Sequence, residues 1–277
     1  MPNPVTDRTK LRAARRIVVK VGSSSLTDGQ GSVSVSAIDT LTRVVSQLYH
    51  GGAQVIVVSS GAIAAGFKPL GLDRRPRDLA TQQAAAAVGQ SRLMAQYSES
   101  FWKHSINVAQ VLLTAEDLMR RTQYNNAFRS LNRLLNLGVV PVVNENDAVA
   151  THEIRFGDND RLAALAASVV KADALFLLSD VDALYDGPPT RTGARRIANV
   201  SADANLSHVT VGDAESEIGT GGMVTKLQAA SIATDAGIPT FLTSAENAQA
   251  AIDGHDIGTW FESRGQRKSA RNAWLQH

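Results

Sequence analysis

Four short apolar stretches that end abruptly in polar residues restrict the fold of this 277-residue chain more than any other feature. The clearest covers residues 140–147, where Val-Pro-Val-Val is followed by Asn-Glu-Asn-Asp. The others cover residues 17–25, 55–61 and 174–180. Runs of this length that are rich in β-branched residues are typical of strands buried on both faces of a sheet. We therefore predict buried strands at these positions, with polar ends that share one cleft.

Helical periodicity fills the intervals between these strands. Apolar residues recur at helical spacing over 38–48, a long alanine-rich helix is predicted from Asp78 to about His104, and another helix stops near Gly138. A strand is predicted over 107–113, followed by a capping box at 114–117. An alternating order of strands and helices requires a mostly parallel sheet that is covered on both faces. We find no low-complexity linker and predict one domain with two lobes.

The composition excludes several classes of protein. Apolar residues make up 44% and charged residues 19%, as in an ordinary globular protein, and no apolar run approaches the roughly 20 residues that a bilayer requires. The chain has no cysteine, which excludes disulfides and thiol nucleophiles and fits a reducing cytoplasm.

Basic residues cluster at both ends of the chain, which leaves RNA binding open as a function. Aromatic residues are not interleaved with these charges, so solvated termini are the simpler interpretation.

Two lysines beside glycine-rich segments are candidate phosphate-binding groups. Lys20 lies inside a strand-like run, where a charge is costly without a partner, and Gly22 and three serines follow it. Lys226 follows the glycine-rich segment 219–222 at the start of a predicted helix. Backbone N–H groups and ammonium groups together suit phosphate. The alternatives are a lysine that reaches solvent at its strand end and a flexible surface loop. Neither a Walker A loop nor a G-x-G-x-x-G motif is present.

Amide and carboxylate side chains are concentrated in two further segments. Their oxygen atoms suit an ammonium ion as ligand. The residues are Asn144, Asn146, Asp147, Asp158, Asn159 and Asp160. One of the last residues could instead cap the helix predicted from Arg161 to Val170. The segment Ser59-Ser60-Gly61 lies between a strand end and a helix start, where a carboxylate can bind. These groups together predict an amine-bearing substrate.

Five motifs in order give the chain a specific resemblance over roughly residues 16–275. They are Lys-Val-Gly-Ser-Ser at 20–24, Ser-Ser-Gly-Ala-Ile-Ala-Ala-Gly at 59–66, Val-Val-Asn-Glu-Asn-Asp at 142–147, Phe-Gly-Asp-Asn-Asp at 156–160 and Gly-Thr-Gly-Gly-Met-Val-Thr-Lys at 219–226. With these motifs the chain resembles the amino acid kinase family, in the branch that phosphorylates glutamate. The resemblance implies a three-layer α/β/α sandwich with a glutamate-binding lobe (about 1–173) and a nucleotide-binding lobe (about 174–277). It implies that ATP phosphorylates the side-chain carboxylate of glutamate to glutamyl 5-phosphate, the first step toward proline.

The resemblance also assigns roles to residues that match the family motifs. Ser60, Asp147 and Asn159 would bind glutamate, and Lys20 and Lys226 would act in catalysis. The residues expected to bind ATP, besides these two lysines, are Gly22, Ser179, Asp180, Thr220, Gly221, Gly222, Met223, Val224 and Thr225. Mg²⁺ is expected as a cofactor, with Asp160 or Asp180 as its ligand.

Several further expectations follow from the resemblance. Many bacterial members continue into a PUA domain, and we expect this chain, which ends at His277, to represent a form without that domain. Feedback inhibition by proline, a homo-oligomer and a cytoplasmic location are expected, without a membrane or nucleic acid as partner. Two rival functions stay open. One is another kinase of the same family that acts on a different acid or on a phosphorylated nucleotide, and the other is a non-catalytic sensor of glutamate, proline or nucleotide.

Overall fold

A single twisted sheet forms the centre of the protein in the computed structural model, which describes residues 7–27, 32–74, 76–149, 159–187, 192–204 and 222–264. Its strands are β1 (Arg16–Val21), β2 (Gln54–Ser59), β3 (Asn107–Leu113), β4 (Val139–Glu145), β5 (Ala174–Ser179), β6 (Asn199–Val200), β7 (Thr240–Ser244) and β8 (Thr259–Phe261). The α-helices are α1 (Val35–His50), α2 (Ala62–Ala65), α3 (Leu79–Trp102), α4 (Ala115–Met119), α5 (Arg121–Asn136), α6 (Asn159–Val170), α7 (Met223–Asp235) and α8 (Ala248–Ile252). Short 3-10 helices cover Arg8–Ala13, Lys68–Leu70 and Asp147–Val149.

The sheet is mostly parallel. Its spatial order is β3-β4-β2-β1-β5-β7-β8-β6. The strands from β3 to β7 in this order pair in parallel, whereas β8 is antiparallel to β7 and β6 pairs in parallel with β8. The predicted α/β class with a mostly parallel sheet is therefore confirmed. The two short strands β6 and β8 were not predicted, because runs of two and three residues carry too little pattern.

Helices cover both faces of the sheet, and each face has its own hydrophobic core. On β1, Val18 belongs to the core under α5, α6 and α7, whereas Ile17 and Val19 belong to the core under α1, α3 and α8. This division follows from the alternation of side chains along a strand. Helix α6 is the most deeply enclosed helix, since all but one of its residues are buried. The sandwich thus supports its carboxyl-end loops from both sides.

Local sequence signals account for the first residues of α3 and α4. Asp78 accepts a hydrogen bond from the Thr81 backbone N–H and begins α3 where the alanine-rich helix was predicted. Thr114 and Asp117 form the predicted capping box of α4. Helix α6 begins two residues before the predicted Arg161, so that Asn159 occupies its first turn rather than a capping position.

No helix in the described part of the chain is long and apolar enough to cross a membrane.

Helices α2 and α3 approach each other closely through glycine. A Cβ atom on Gly89 would lie 1.8 Å from the carbonyl oxygen of Ala62, and one on Gly66 would lie 2.0 Å from the carbonyl oxygen of Ala85. Only glycine permits such contacts between helix backbones. The glycines therefore bring α3 against the turn that follows β2, at the edge where the polar strand ends were expected to meet.

Candidate active site

The polar ends of the central strands lie at one edge of the sheet. Val21 is in register with Ser59 on β2 and with Leu178 on β5, and Val58 is in register with Val143 on β4. Because these strands are parallel, the residues that follow them emerge on the same side. The polar strand ends that were predicted to share one cleft therefore emerge at the same edge of the sheet.

A buried carboxylate joins two lysines at this edge. Lys20 on β1 forms an ion pair with Oδ1 of Asp160, and Nζ of Lys226 lies 3.5 Å from Oδ2 of the same side chain. Asp160 is 1% exposed, Lys20 5% and Lys226 6%, so the three charges are shielded from solvent. The hydroxyl of Thr225 also donates to Oδ2 of Asp160, at 2.9 Å. We call Lys20, Asp160 and Lys226 the charged triad.

The charged triad carries one excess positive charge when all its members are ionised. Burial acts to raise the pKa of Asp160, but the charges of Lys20 and Lys226 outweigh this effect and hold that pKa below its usual value. Asp160 is therefore ionised at neutral pH. The arrangement keeps two ammonium groups close together and leaves them able to attract an anion such as phosphate.

Two glycine turns shape the space beside Lys20. The backbone N–H of Gly22 donates to the carbonyl oxygen of Leu178 at 3.2 Å, and a Cβ on Gly22 would lie 3.7 Å from Nζ of Lys20. Gly61, after β2, has a φ of 93°, which favours glycine, and a Cβ there would lie 3.8 Å from Cα of Ser23. The turns after β1 and β2 are therefore neighbours, and Ser60 lies between β2 and Gly61.

Residues of α3 hold the ends of β2 and β4. Tyr97 is fully buried, and its hydroxyl lies 3.0 Å from Oγ of Ser59, which also donates to the carbonyl oxygen of Ser60. Burial raises the pKa of the Tyr97 phenol, so it remains neutral. Gln90 accepts a hydrogen bond from the Asn144 side chain at 2.7 Å. Tyr97 and Gln90 were not predicted to contact the strand ends, because the sequence of α3 indicates only an alanine-rich helix.

The predicted glutamate-binding residues occupy three separate segments. Ser60 is half-buried after β2, and Asp147 is half-buried at the start of the 3-10 helix that follows β4. Asn159 is buried in the first turn of α6, directly before Asp160 of the charged triad. The segments share the carboxyl edge of the sheet. Asp158, named with them from the sequence, lies outside the described residues.

The predicted nucleotide-binding residues come from β5 and α7. Ser179 is buried at the end of β5, and its hydroxyl donates to the exposed Asp180 at 2.8 Å. Gly222 precedes the first turn of α7, whose residues include Met223, Val224 and Thr225, and Lys226 follows them. Thr220 and Gly221 lie outside the described residues. Of the predicted set, the structure brings Lys20, Thr225 and Lys226 together around Asp160.

Asp160 makes contacts that neither interpretation from sequence, a helix cap or a magnesium ligand, had included. Both of its oxygens contact cationic or hydroxyl groups of the protein. Among the described residues, no group of three or more His, Cys, Asp and Glu side chains is arranged to hold a metal ion. The requirement that a buried Lys20 have a partner was the signal in the sequence for this ion pair, although it did not identify Asp160.

Comparison with known proteins defines the class to which this fold and site correspond. The chain belongs to the amino acid kinase family, whose model matches residues 15–244. Its curated relatives include glutamate 5-kinases. That of Thermobifida fusca is 56% identical over 98% of this chain and 70% of the relative, and that of Bifidobacterium animalis is 54% identical over 99% and 73%. The predicted family is confirmed, and the similarity supports an enzyme that uses ATP to phosphorylate glutamate.

Solved structures of more distant proteins share the fold. Carbamate kinase from Giardia lamblia bound to AMP-PNP superposes with a TM-score of 0.63 at 15% identity, covering 91% of this chain and 99% of that one. The isopentenyl phosphate kinase of T. acidophilum, in a product complex, has a TM-score of 0.62 at 17% identity and covers 89% and 100%. These similarities confirm the predicted amino acid kinase fold.

Proposed function

We propose that this protein is a glutamate 5-kinase that transfers the γ-phosphoryl group of ATP to the side-chain carboxylate of L-glutamate. A bond forms between a carboxylate oxygen and the γ-phosphorus, and the bond between that phosphorus and the β–γ bridging oxygen breaks. The products are glutamyl 5-phosphate and ADP. The observation that carries the proposal is the charged triad, which places two buried ammonium groups beside the strand ends of an amino acid kinase fold.

The acceptor needs no general base. A glutamate side chain has a reference pKa of about 4.3, so it is already an anionic nucleophile at neutral pH. The difficulty is to bring this anion to an anionic phosphate and to stabilise the charge of the transferring group. Cations and alignment meet this requirement, whereas a basic aspartate would add a further negative charge.

Lys20 and Lys226 supply the cations in this proposal. Asp160 holds both side chains in place, and the triad keeps a net positive charge for the phosphoryl group. A preorganised donor of this kind typically contributes about 3 to 4 kcal/mol to transition-state stabilisation, which corresponds to roughly 100- to 1000-fold in rate. Gly22, Gly222 and Thr225 line the same region, and Ser179 and Asp180 extend it toward the rest of the nucleotide.

The glutamate-binding roles rest on the residues at the other strand ends. The carboxylate of Asp147 would face the ammonium group of the amino acid, Asn159 would offer its amide, and Ser60 would offer its hydroxyl or backbone N–H to a carboxylate. Asn159 adjoins Asp160 in α6. It therefore links the glutamate-binding group to the phosphate-binding group.

Mg²⁺ would enter as its complex with ATP, because Mg²⁺ in phosphoryl transfer is bound largely by substrate phosphates and water. The contacts of Asp160 with two lysines favour Asp180, which is exposed, as the protein residue near that ion. The division into a glutamate lobe (1–173) and a nucleotide lobe (174–277) also remains part of the proposal. So do proline inhibition, a homo-oligomer and a cytoplasmic location, where ATP is available.

Trapping of the acyl phosphate tests the proposed reaction. Purified protein is incubated with MgATP, hydroxylamine and one acid at a time: glutamate, aspartate, N-acetylglutamate or none. We expect hydroxamate and ADP to form in equal amounts when the acid is glutamate, and neither product to form with the other acids or without one. Hydroxamate formed preferentially from another acid would identify a different kinase of the family. Binding of glutamate and ATP without ADP release would identify a sensor.

Lys226→Ala tests the role of the charged triad in the same assay. We expect turnover to fall by roughly 100-fold or more, with a much smaller change in the KM for glutamate. Lys103→Ala is the matched control, since Lys103 is an exposed lysine paired with Asp39. An increase in the glutamate KM alone would contradict the catalytic role of Lys226.

A further inference from the structure

Gln90 is a buried polar side chain on α3 that the reaction described above does not use. It is 8% exposed, and its Oε1 accepts a hydrogen bond from Nδ2 of Asn144 at 2.7 Å. Its Nε2 is also buried, and no hydrogen-bond acceptor lies within reach in the described ranges. A buried donor without an acceptor lowers the stability of a protein. An apolar side chain at this position would avoid that cost, so packing alone does not explain a glutamine.

The hydrogen bonds of Asn144 explain what Gln90 does. Oδ1 of Asn144 accepts from the backbone N–H of Glu145 at 2.9 Å, and its Nδ2 donates to Gln90. Both ends of the amide are therefore engaged, and its orientation is set. Asn144 is 1% exposed and lies on β4 three residues before Asp147. Gln90 thus fixes the strand end from which the predicted ammonium-binding carboxylate emerges.

The position of Gln90 on α3 supports this role. The preceding residue, Gly89, is the point of closest approach to Ala62, directly after the Ser60-Gly61 turn. The same helix contacts the 3-10 helix Asp147–Val149. Helix α3 therefore contacts two segments that carry predicted glutamate-binding groups, and its residue Gln90 is hydrogen-bonded to the end of β4.

We propose that Gln90 is a positioning residue for the glutamate site, which acts through Asn144 to hold the end of β4 and so sets the KM for glutamate. The inference rests on the proposed glutamate kinase activity. It adds a residue on a helix, outside the five sequence motifs described above, to the groups that determine acceptor affinity.

Gln90→Met tests the inference, because methionine has a similar length and lacks both polar atoms. We expect the KM for glutamate to rise about 3- to 10-fold, which corresponds to the loss of one ordinary hydrogen bond. Turnover and the KM for ATP should stay within about 2-fold. The melting temperature should change little, because the substitution removes one unpaired buried donor, Nε2 of Gln90, and leaves another, Nδ2 of Asn144, without its acceptor. A residue with only a structural role would not combine nearly unchanged stability with weaker glutamate binding.

A double-mutant cycle with Asn144→Ala shows whether Gln90 acts through Asn144. In the Asn144→Ala background, Gln90→Met should no longer change the KM for glutamate. Ser100→Ala is the control on the same helix, since Ser100 is buried and donates to Asp39 away from the strand ends. It should lower the melting temperature and leave the KM for glutamate unchanged.

The outcomes separate this inference from the proposed function. A wild-type protein that forms no hydroxamate from glutamate overturns both. An active wild-type protein whose glutamate KM is unaffected by Gln90→Met overturns the inference alone. The same holds if the variant loses stability and all kinetic parameters change together, or if the two substitutions raise the KM additively.

Discussion

Asp160→Asn keeps the shape of the side chain that Lys20 and Lys226 share and removes its charge. In the wild-type protein both ammonium groups are neutralised in part by this carboxylate, and all three side chains are buried. The variant would hold two buried cations around a neutral amide, whose NH₂ group is itself a donor. We therefore expect Asp160→Asn to destabilise the protein and to displace both lysines.

The geometry of the charged triad gives the size of the effect. Nζ of Lys226 lies 3.5 Å from Oδ2 of Asp160, and unit charges at that distance attract by about 5 kcal/mol at an effective dielectric constant near 20. Removing one partner of a buried ion pair costs about 3 to 5 kcal/mol, because the remaining charge stays buried without compensation. At about 2 °C per kcal/mol for a chain of this size, the melting temperature should fall by roughly 6 to 10 °C.

Thermal unfolding and turnover are measured on the same preparation. Turnover should fall by about 100-fold, since small displacements of reacting or charge-stabilising groups have effects of this order. MgATP should raise the melting temperature of the variant at least as much as that of the wild type, because its phosphates supply the missing negative charge. Asp256→Asn is the matched control. Asp256 also contacts two cations, Arg8 and Arg196, but its side chain is 77% exposed.

The result that would refute this reasoning is a melting temperature for Asp160→Asn no lower than that for Asp256→Asn, with turnover preserved. The pH dependence gives a second check. The pKa of Asp160 lies below its ordinary value of 3.8, so its contribution to stability is present above that pH and is lost as the pH falls through the lowered value. The difference in melting temperature between wild type and variant should therefore narrow below about pH 4. A constant difference would contradict the assigned ion pair.

Two further substitutions test the glutamate side of the site. Asp147→Asn should weaken glutamate binding about 10-fold in calorimetry and leave ATP binding unchanged, because one charge-assisted partner of the ammonium group is lost; unchanged glutamate affinity would reject this assignment. Gly89→Ala places a methyl group 1.8 Å from the carbonyl oxygen of Ala62, so α2 and α3 must separate. We expect the free energy of unfolding to fall by more than about 1 kcal/mol and the KM for glutamate to rise. Gly71→Ala, where a Cβ meets nothing within 4 Å, should leave that KM unchanged, and equal kinetic effects of the two substitutions would contradict the proposed role of the close contact.

The central strands could be predicted from sequence because burial on both faces produces a local signal. Strands β1, β2, β4 and β5 are almost entirely buried, and each appears in the sequence as a short apolar run, which Lys20 interrupts in β1. Strands β6 and β8 are too short to produce such a run, and they form through pairing with each other and with β7. Their existence depends on tertiary contacts that no local window contains.

The site, like the fold, could be predicted where a local sequence signal exists and could not where tertiary packing decides. The motifs indicated which polar residues lie at the carboxyl edge, and Lys20 within a strand indicated that a partner was needed. The identity of that partner depends on where α6 begins, because a shift of two residues changes Asp160 from a candidate cap into a residue of the first turn. Boundaries at this scale are set by packing. The support from Gln90 and Tyr97 depends on how α3 crosses the sheet, which the alanine-rich sequence does not specify.

The burial of α6 connects the core of the protein to the geometry of the charged triad. Asp160 lies in the first turn of this helix, where the helix dipole favours a negative charge. The following residues, including Ala163, Ala164, Ala166 and Ala167, are fully buried between the sheet and its neighbouring helices. A helix packed on all sides cannot shift without opening a cavity, so the position of Asp160, and with it the positions of Lys20 and Lys226, is set by the core. Stability of the α6 core and preorganisation of the phosphate-binding charges are thus the same structural property, and substitutions that loosen this helix should reduce turnover before they unfold the protein.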